Sequence, residues 1–323
     1  MDAKIEQKIK LLEEKYAQMG QDLDSYLDGL LLSNYLTYWD YTQVDTLLTL
    51  QNPKTDFPDE MIFIMYHQIT ELYFKLSLHE FDQIANNGPD ILPNGQLLGW
   101  KTKLEPTFFA ERIMRINRYF EALTKSFEIM INGMEKEQFL RYRMALLPAS
   151  GFQSAQYRMI EIASTDFINL VDKDVRVNFT GKNASIEELF KNIYWNKGAT
   201  ELASGKKTLT LNQFEKKYSK KFIAMANDYK TKNLWAKYKS LSAEDQKNQN
   251  VINALKNLDV NVNINWPLVH YKSAVRYLQA DTADIAATGG TNWQKYLPPR
   301  FQKRVFYPEL WTKEELENWG KSW

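Results

Sequence analysis

MIFIMYHQITELYFKLSLHEF, residues 61–81, is the stretch on which the reading of this chain turns. It holds no glycine or proline and is far longer than a strand. It therefore predicts a helix, and its apolar content predicts a buried one. Phe63, His67, Thr70, Glu71 and Phe74 lie three and four residues apart and share a face. The preceding QNPKTDFPDE reads as a loop in which Asp59 caps the helix, and Asn86-Asn87-Gly88-Pro89 stops it.

Outward from this helix the pattern stays helical. Ile5, Ile9, Leu12, Tyr16 and Met19 form a heptad seam over residues 2–19. So short a seam serves either as a helix packed on its own core or as an arm laid on a neighbouring subunit. A second helix is predicted over about 24–51, with a break near Asn34. Further helices are predicted over about 106–131, 135–147, 152–171 and 266–279, the second ending before Pro148. Residues 86–100 read as a loop. The stretch 172–262 is polar and rich in lysine, with capping patterns at Ser185-x-x-Glu188, Thr210-x-x-Gln213 and Ser242-x-x-Asp245. Another cap, Thr312-x-x-Glu315, opens a last short helix. VRVNF and NVNIN are the only strand-like alternations. The expectation is an all-α fold in one domain, 1–323, a bundle of long helices. It carries an N-terminal arm at 1–31 and a smaller helical insertion at about 172–262.

Composition narrows the chemistry. With no cysteine, iron–sulfur clusters, thiolate-ligated haem, cysteine zinc sites and disulfides are excluded. Metal or redox chemistry then falls to carboxylates, tyrosines and three histidines, which singles out His67 and the distant His270. The net charge of +1 gives no global attraction to nucleic acid or an anionic membrane. No run approaches the ~20 apolar residues of a membrane span, and no apolar signal core opens the chain, so a cytoplasmic location is expected.

Each candidate residue has a bland reading beside a chemical one. His67 is either a ligand or a core histidine satisfied by a hydrogen bond, with Glu71–Lys75 an ordinary helical pair. A zinc site of the form H-x-x-x-E lacks enough further nitrogen ligands. Arg141, Arg143 and Arg158 sit among apolar residues, where an arginine meets a carboxylate of the protein or of a ligand. Thr288-Gly289-Gly290 reads either as a plain turn or as one that offers backbone N–H groups and a hydroxyl to an anion. Lys216, Lys217, Lys220 and Lys221 read as a solvated helix face rather than a nucleic-acid patch.

Taken together, these segments resemble the tryptophan 2,3-dioxygenase family over most of the chain. DEMIFIMYHQITELYFKLSLHEFD follows the family's DE-x-x-FI-x-x-HQ-x-x-EL-x-FK, and FLRYRMALLPASGFQSAQYRMIE follows its F-x-x-x-R…L-x-PASGFQS-x-Q-x-R-x-x-E. Tyr38-x-x-Tyr41-x-x-x-Asp45 with LLTLQ, the series His270…Arg276…Thr288-Gly289-Gly290, and Tyr307-Pro308-Glu309-Leu310 match in the same order. The resemblance implies haem b, one per subunit, with His270 as the axial ligand of its iron, and O2 as co-substrate. It implies that His67 accepts a hydrogen bond from an indole N–H and that Arg143 clamps the substrate carboxylate. Thr288 would hold the amino-acid end, while residues Phe63, Ile64, Met65, Tyr66, Tyr38, Tyr41 and Phe139 line the indole slot. Ser150 and Gly151 would lie over the haem edge. The implied reaction opens the indole ring of L-tryptophan to N-formylkynurenine in a cytoplasmic homotetramer. The family's GTGGSSG reads ATGGTNW here. A related oxygenase for another indole or aromatic substrate, or an inactive haem-binding homologue, fits the same residues.

Overall fold

The structure, a computed structural model, describes residues 2–92, 94–200, 206–279, 287 and 293–321. Its described residues are overwhelmingly helical. The exception is a small hairpin, β1 (Pro89–Ile91) with β2 (Leu97–Trp100), in the stretch expected to be loop. The chain divides into two compact units, Met1–Gln51 with Ile91–Leu98, and Asn52–Asp90 with Gly99–Trp323.

The first unit holds α1 (Ala3–Gln18) and α2 (Leu23–Leu32), then the short turns Tyr38–Thr42 and Val44–Leu47. Asp2 accepts from the Lys4 amide at 2.9 Å and Asp22 from the amides of Asp24 and Ser25, so both helices begin on acidic caps. Tyr16 and Tyr26 pair their rings at 4.6 Å. None of residues 2–51 is buried. The heptad residues Ile5, Leu12 and Met19 are exposed, as are Leu31 and Leu32.

The second unit is built on α3 (Asp59–Ala85). Against it pack α4 (Pro106–Ser126) and α5 (Ala155–Ser164). On α4, Phe109, Ile113, Ile116, Phe120 and Leu123 recur at helical spacing and are all fully buried. Buried Glu80 of α3 accepts from Arg112 and Tyr119 of α4, each at 3.2 Å. Gln156 of α5 donates to the Glu71 carbonyl and carboxylate at 2.8 and 2.7 Å. Glu71 thus meets Gln156, where an i,i+4 pair with Lys75 was expected.

Three expectations need correction. The helix at 61–81 is buried on one side only. Tyr66, Phe74 and Phe81 face the core, while Met65, Ile69, Leu72 and Leu76 form an outward stripe, 41–48% exposed. Asp59 lies inside the helix and accepts from the Glu135 amide at 2.6 Å, so it ties down a distant turn instead of capping. The stretch 172–262 is woven into the core. Its helices α6 (Leu209–Asp228) and α7 (Gln249–Val260) bury Leu211, Phe214, Phe222, Val251, Leu255 and Leu258.

Capping patterns fared unevenly. Ser185/Glu188 and Thr312/Glu315 form capping boxes. The cap of α6 is Thr208, however, and Thr210 donates to the Pro148 carbonyl at 3.0 Å. Neither alternating stretch is a strand. VRVNF overlaps a helical turn, Lys173–Arg176, and NVNIN is a π-helical turn, Asn261–Asn265, leading into α8 (Trp266–Leu278).

Candidate functional site

Within the second unit a cavity of about 720 Å³ opens between α3, α5, α8 and the turn 149–154. That is ample for a cofactor-sized ligand. Phe63, Phe74, Phe127, Leu146, Trp266 and Leu278 make much of its wall apolar. His67 enters from α3 and His270 from α8. Each ring is locked the same way. Nδ1 of His67 lies 2.7 Å from the Phe63 carbonyl, and Nδ1 of His270 lies 2.9 Å from that of Trp266. A carbonyl can only accept, so in the neutral ring Nδ1 carries the proton and Nε2 keeps its lone pair. Burial lowers the pKa of both rings, that of His270 to about 4, so both are neutral at physiological pH. Phe127 and Trp266 each flank His270 at 4.4 Å, and Phe63 flanks His67 at 4.2 Å. A Cβ on Gly151 would meet His67 Nε2 at 3.8 Å, so the 3₁₀ turn Gly151–Gln153 passes directly beside that nitrogen.

At its other end the wall is polar. Tyr157, Arg158, Tyr194 and Arg304 line it around the fully buried Glu161. Glu161 accepts from Arg158 at 3.1 Å, from Tyr194 at 2.6 Å and from Arg304. Tyr157 receives a hydrogen bond from Arg304 at 2.8 Å. Burial pushes the Tyr157 phenol up to about 12, so it stays a neutral donor. Burial alone would weaken the charge on Arg304, but Glu161, Tyr157 and Tyr194 together more than offset it and hold the guanidinium protonated. The guanidinium of Arg158 also lies over the Trp195 ring at 4.8 Å.

The expected site residues divide. Phe63, Ile64, Tyr66, His67, Ser150, Gly151 and His270 all line the cavity. Met65 does not; it belongs to the outward stripe and is 41% exposed, because one residue along a helix turns by about 100°. Phe139 stands one layer back, its ring 6.2 Å from Phe63 and 4.7 Å from Tyr277. Arg143 opens the turn Arg143–Leu146 and is buried, which lowers its pKa, but Leu146 rather than Arg143 belongs to the wall. Tyr38 and Tyr41 sit in the first unit, 73% and 77% exposed. Thr288 lies outside the described residues. Arg158 is paired internally with Glu161, and Arg141 pairs with Glu137 on the surface. Sequence reasoning missed Tyr157, Tyr194 and Arg304, whose partners are remote in the chain and follow no local motif. Among the described residues no cluster of three or more His, Asp or Glu side chains could hold a bare metal ion.

Fold and cavity thus define an all-α protein with two neutral imidazoles presented to one apolar chamber. The family model described as tryptophan 2,3-dioxygenase matches residues 30–275, and the chain belongs to that family. A tryptophan 2,3-dioxygenase of Ruegeria sp. (strain TM1040) is 39% identical over 126 residues, 39% of this chain and 40% of that protein. One from Bacillus thuringiensis (strain Al Hakam) is 35% identical over 128 residues, 40% of this chain and 41% of that protein. Another, from Ruegeria pomeroyi (strain ATCC 700808 / DSM 15171 / DSS-3), is 33% identical over 145 residues, 44% of this chain and 48% of that protein. The aligned stretch thus spans less than half the length of these relatives.

Proposed function

We propose that the chain is a haem-dependent dioxygenase that inserts both atoms of O2 across the indole C2–C3 bond of L-tryptophan, giving N-formylkynurenine. One observation carries this reading. His270 presents a neutral imidazole to a largely apolar part of the cavity, with Nδ1 committed to the Trp266 carbonyl and Nε2 free of any bond among the described residues. Such a nitrogen would hold a haem iron, and the carbonyl bond orients the ring and raises its basicity. The aromatic wall suits a flat macrocycle. When bound, haem supplies the dioxygen chemistry.

The remaining work belongs to the chain. His67 Nε2, held unprotonated, accepts the indole N–H and so fixes the ring that reacts. Arg143, buried on the turn that puts Leu146 in the wall, is the residue that would take the substrate carboxylate as a charge-assisted pair. Thr288 holds the amino end. Phe63, backed by Phe139, supplies the apolar side of the slot. Orientation and exclusion of water are what such a site contributes, and no strong base is required of it.

The reading extends to a homotetramer in which residues 1–31 lie on a neighbouring subunit. A segment with no buried residue and many exposed leucines and aromatics supports a partner surface. Among the described residues no helix is long and apolar enough to cross a membrane, and the reading needs neither membrane nor nucleic acid; a cytoplasmic setting fits it.

Purified protein loaded with haem should show a histidine-ligated Soret band. With L-tryptophan under ¹⁸O₂ it should release a product carrying both labelled atoms. Haem-loaded protein that leaves L-tryptophan untouched would sink the substrate assignment. The tail ATGGTNW favours one second reading, a relative acting on another indole or aromatic substrate. A substrate panel scored by mass separates the two.

A further inference from the structure

We propose that Tyr157 and Arg304 are positioning residues for His270, acting through a backbone carbonyl that Pro267 leaves without a helical partner. The proposal rests on the haem reading for its purpose, but its geometry lies wholly in the chain. Helix α7, the π turn and α8 form one continuous rod from Gln249 to Leu278, right-handed helical dihedrals persisting through both junctions. In the turn the Trp266 amide donates five residues back, to the Asn261 carbonyl. The next donor in that register would be residue 267, and proline has no N–H. The Val262 carbonyl, fully buried, is thereby orphaned within the rod.

It is satisfied from outside. Tyr157 Oη donates to the Val262 carbonyl at 3.1 Å and Arg304 Nη2 at 3.3 Å. Both residues also line the cavity. Arg304 reaches further along the same turn, through Nε to the Asn263 side-chain oxygen. Asn263 in turn donates to Asp259 at 2.7 Å, and Asp259 accepts the amides of Phe306 and Tyr307 at 2.9 and 3.1 Å. The rod is thus stitched before and within the turn to the segment that carries Arg304.

His270 is fixed to the rod at short range by its bond to the Trp266 carbonyl. Its direction is therefore inherited from the start of α8, which is the far side of the π turn. Rotation at the turn would swing the imidazole around the rod's axis. The two external donors hold that rotation at one value. A structural role alone would make them stabilise the fold without bearing on His270 more than on any other residue.

The test uses Tyr157→Phe, which removes one hydroxyl, and Arg304→Lys, which keeps a charge beside Glu161. Three histidines give three resolvable ¹³Cε1 signals in histidine-labelled, cofactor-free protein, each assigned by a His→Gln variant. Both variants should move and broaden the His270 signal and leave that of exposed His79 in place. In haem-loaded protein they should shift the iron–histidine stretch and weaken haem binding on the order of fivefold, the equivalent of one net hydrogen bond. A His270 signal unchanged in both variants, despite a lowered melting temperature, would overturn the proposal. If the signal moves but wild-type protein takes up no haem, the haem reading fails and the clamp stands. Pro267→Ala supplies a second route, because it restores the missing amide. Tyr157→Phe should then perturb His270 less in the Pro267→Ala background than alone, and equal effects in both backgrounds would also overturn the proposal.

Discussion

Glu161→Gln is the sharpest probe of the polar end of the chamber. Glu161 is fully buried and is shared by Arg158 and Arg304, themselves 7% and 4% exposed. The glutamine keeps the shape but removes the charge, leaving two buried guanidinium groups without a compensating carboxylate. Breaking a buried ion pair by deleting one partner costs roughly 3–5 kcal/mol. Two arginines lose their partner here, which argues for the upper end. Water admitted from the cavity beside them argues for the lower, so about 4 kcal/mol is expected. At roughly 2.1 cal/mol/K per residue the whole chain unfolds with an entropy near 0.7 kcal/mol/K, so the melting temperature should fall by about 6 °C. Differential scanning calorimetry, with urea unfolding as a second measure, reads this directly. A fall under about 1 °C would refute the reasoning. It would mean that Asp259, acting through Asn263, already balances Arg304. Replacing Arg158, Glu161 and Arg304 together with methionine should cost less than Glu161→Gln alone, because no uncompensated charge remains.

Further tests follow from the same geometry. His270→Ala should abolish the histidine-ligated Soret band on haem titration while far-ultraviolet circular dichroism stays unchanged; a retained band would mean that His270 does not hold the haem. The lowered pKa of His270, from 6.5 to about 4, means the unfolded chain binds this proton first. The contribution to stability is therefore present above pH 6.5 and lost as pH falls through 4. After screening by cavity water the loss is about 2 kcal/mol, and it should vanish in His270→Gln. Asp259, raised to about 6, acts in the opposite sense, so the difference between variant and wild type is the quantity to measure. Gly151→Ala would place a methyl beside His67 Nε2 and should raise KM for L-tryptophan about tenfold with little change in melting temperature; an unchanged KM would move the indole elsewhere. Removing residues 1–20 should lower the mass of the assembly in light scattering, and an unaltered mass would count against the arm.

Much of the fold is legible in periodicity, and the reasons for the misses are physical. The run 61–81 gives its helix away, but an apolar composition does not say which face is covered. Met65, Ile69, Leu72 and Leu76 would suit a core as well as an outer stripe. NVNIN alternates in residue type, which is the signature of a half-buried strand. In the structure Asn261 and Asn263 are buried along with the valine and isoleucine, because Asn117, Asp259 and Arg304 satisfy them. Asn117 and Arg304 lie far along the chain, where no local pattern can show them. The same holds for Thr210, whose spacing fits a cap while its hydroxyl serves the Pro148 carbonyl. The site was legible where chemistry made residues scarce. With three histidines, both chamber rings could be singled out. Tyrosines and arginines are plentiful, so Tyr157 and Arg304 could not.

The helical rod from Gln249 to Leu278 has a consequence for how this chain tolerates change in length rather than in residue identity. Each residue of an α-helix advances the side chain by about 100°. The π turn absorbs one residue's worth of that advance between α7, which packs on α4, and His270. A single deletion within Asn261–Asn265 that relaxed the turn to ordinary helix would leave every core residue of α7 in place and His270 still facing the chamber, whereas one added residue would turn His270 away by about 100°. Side-chain swaps in the turn are graded losses, whereas one added residue is a switch.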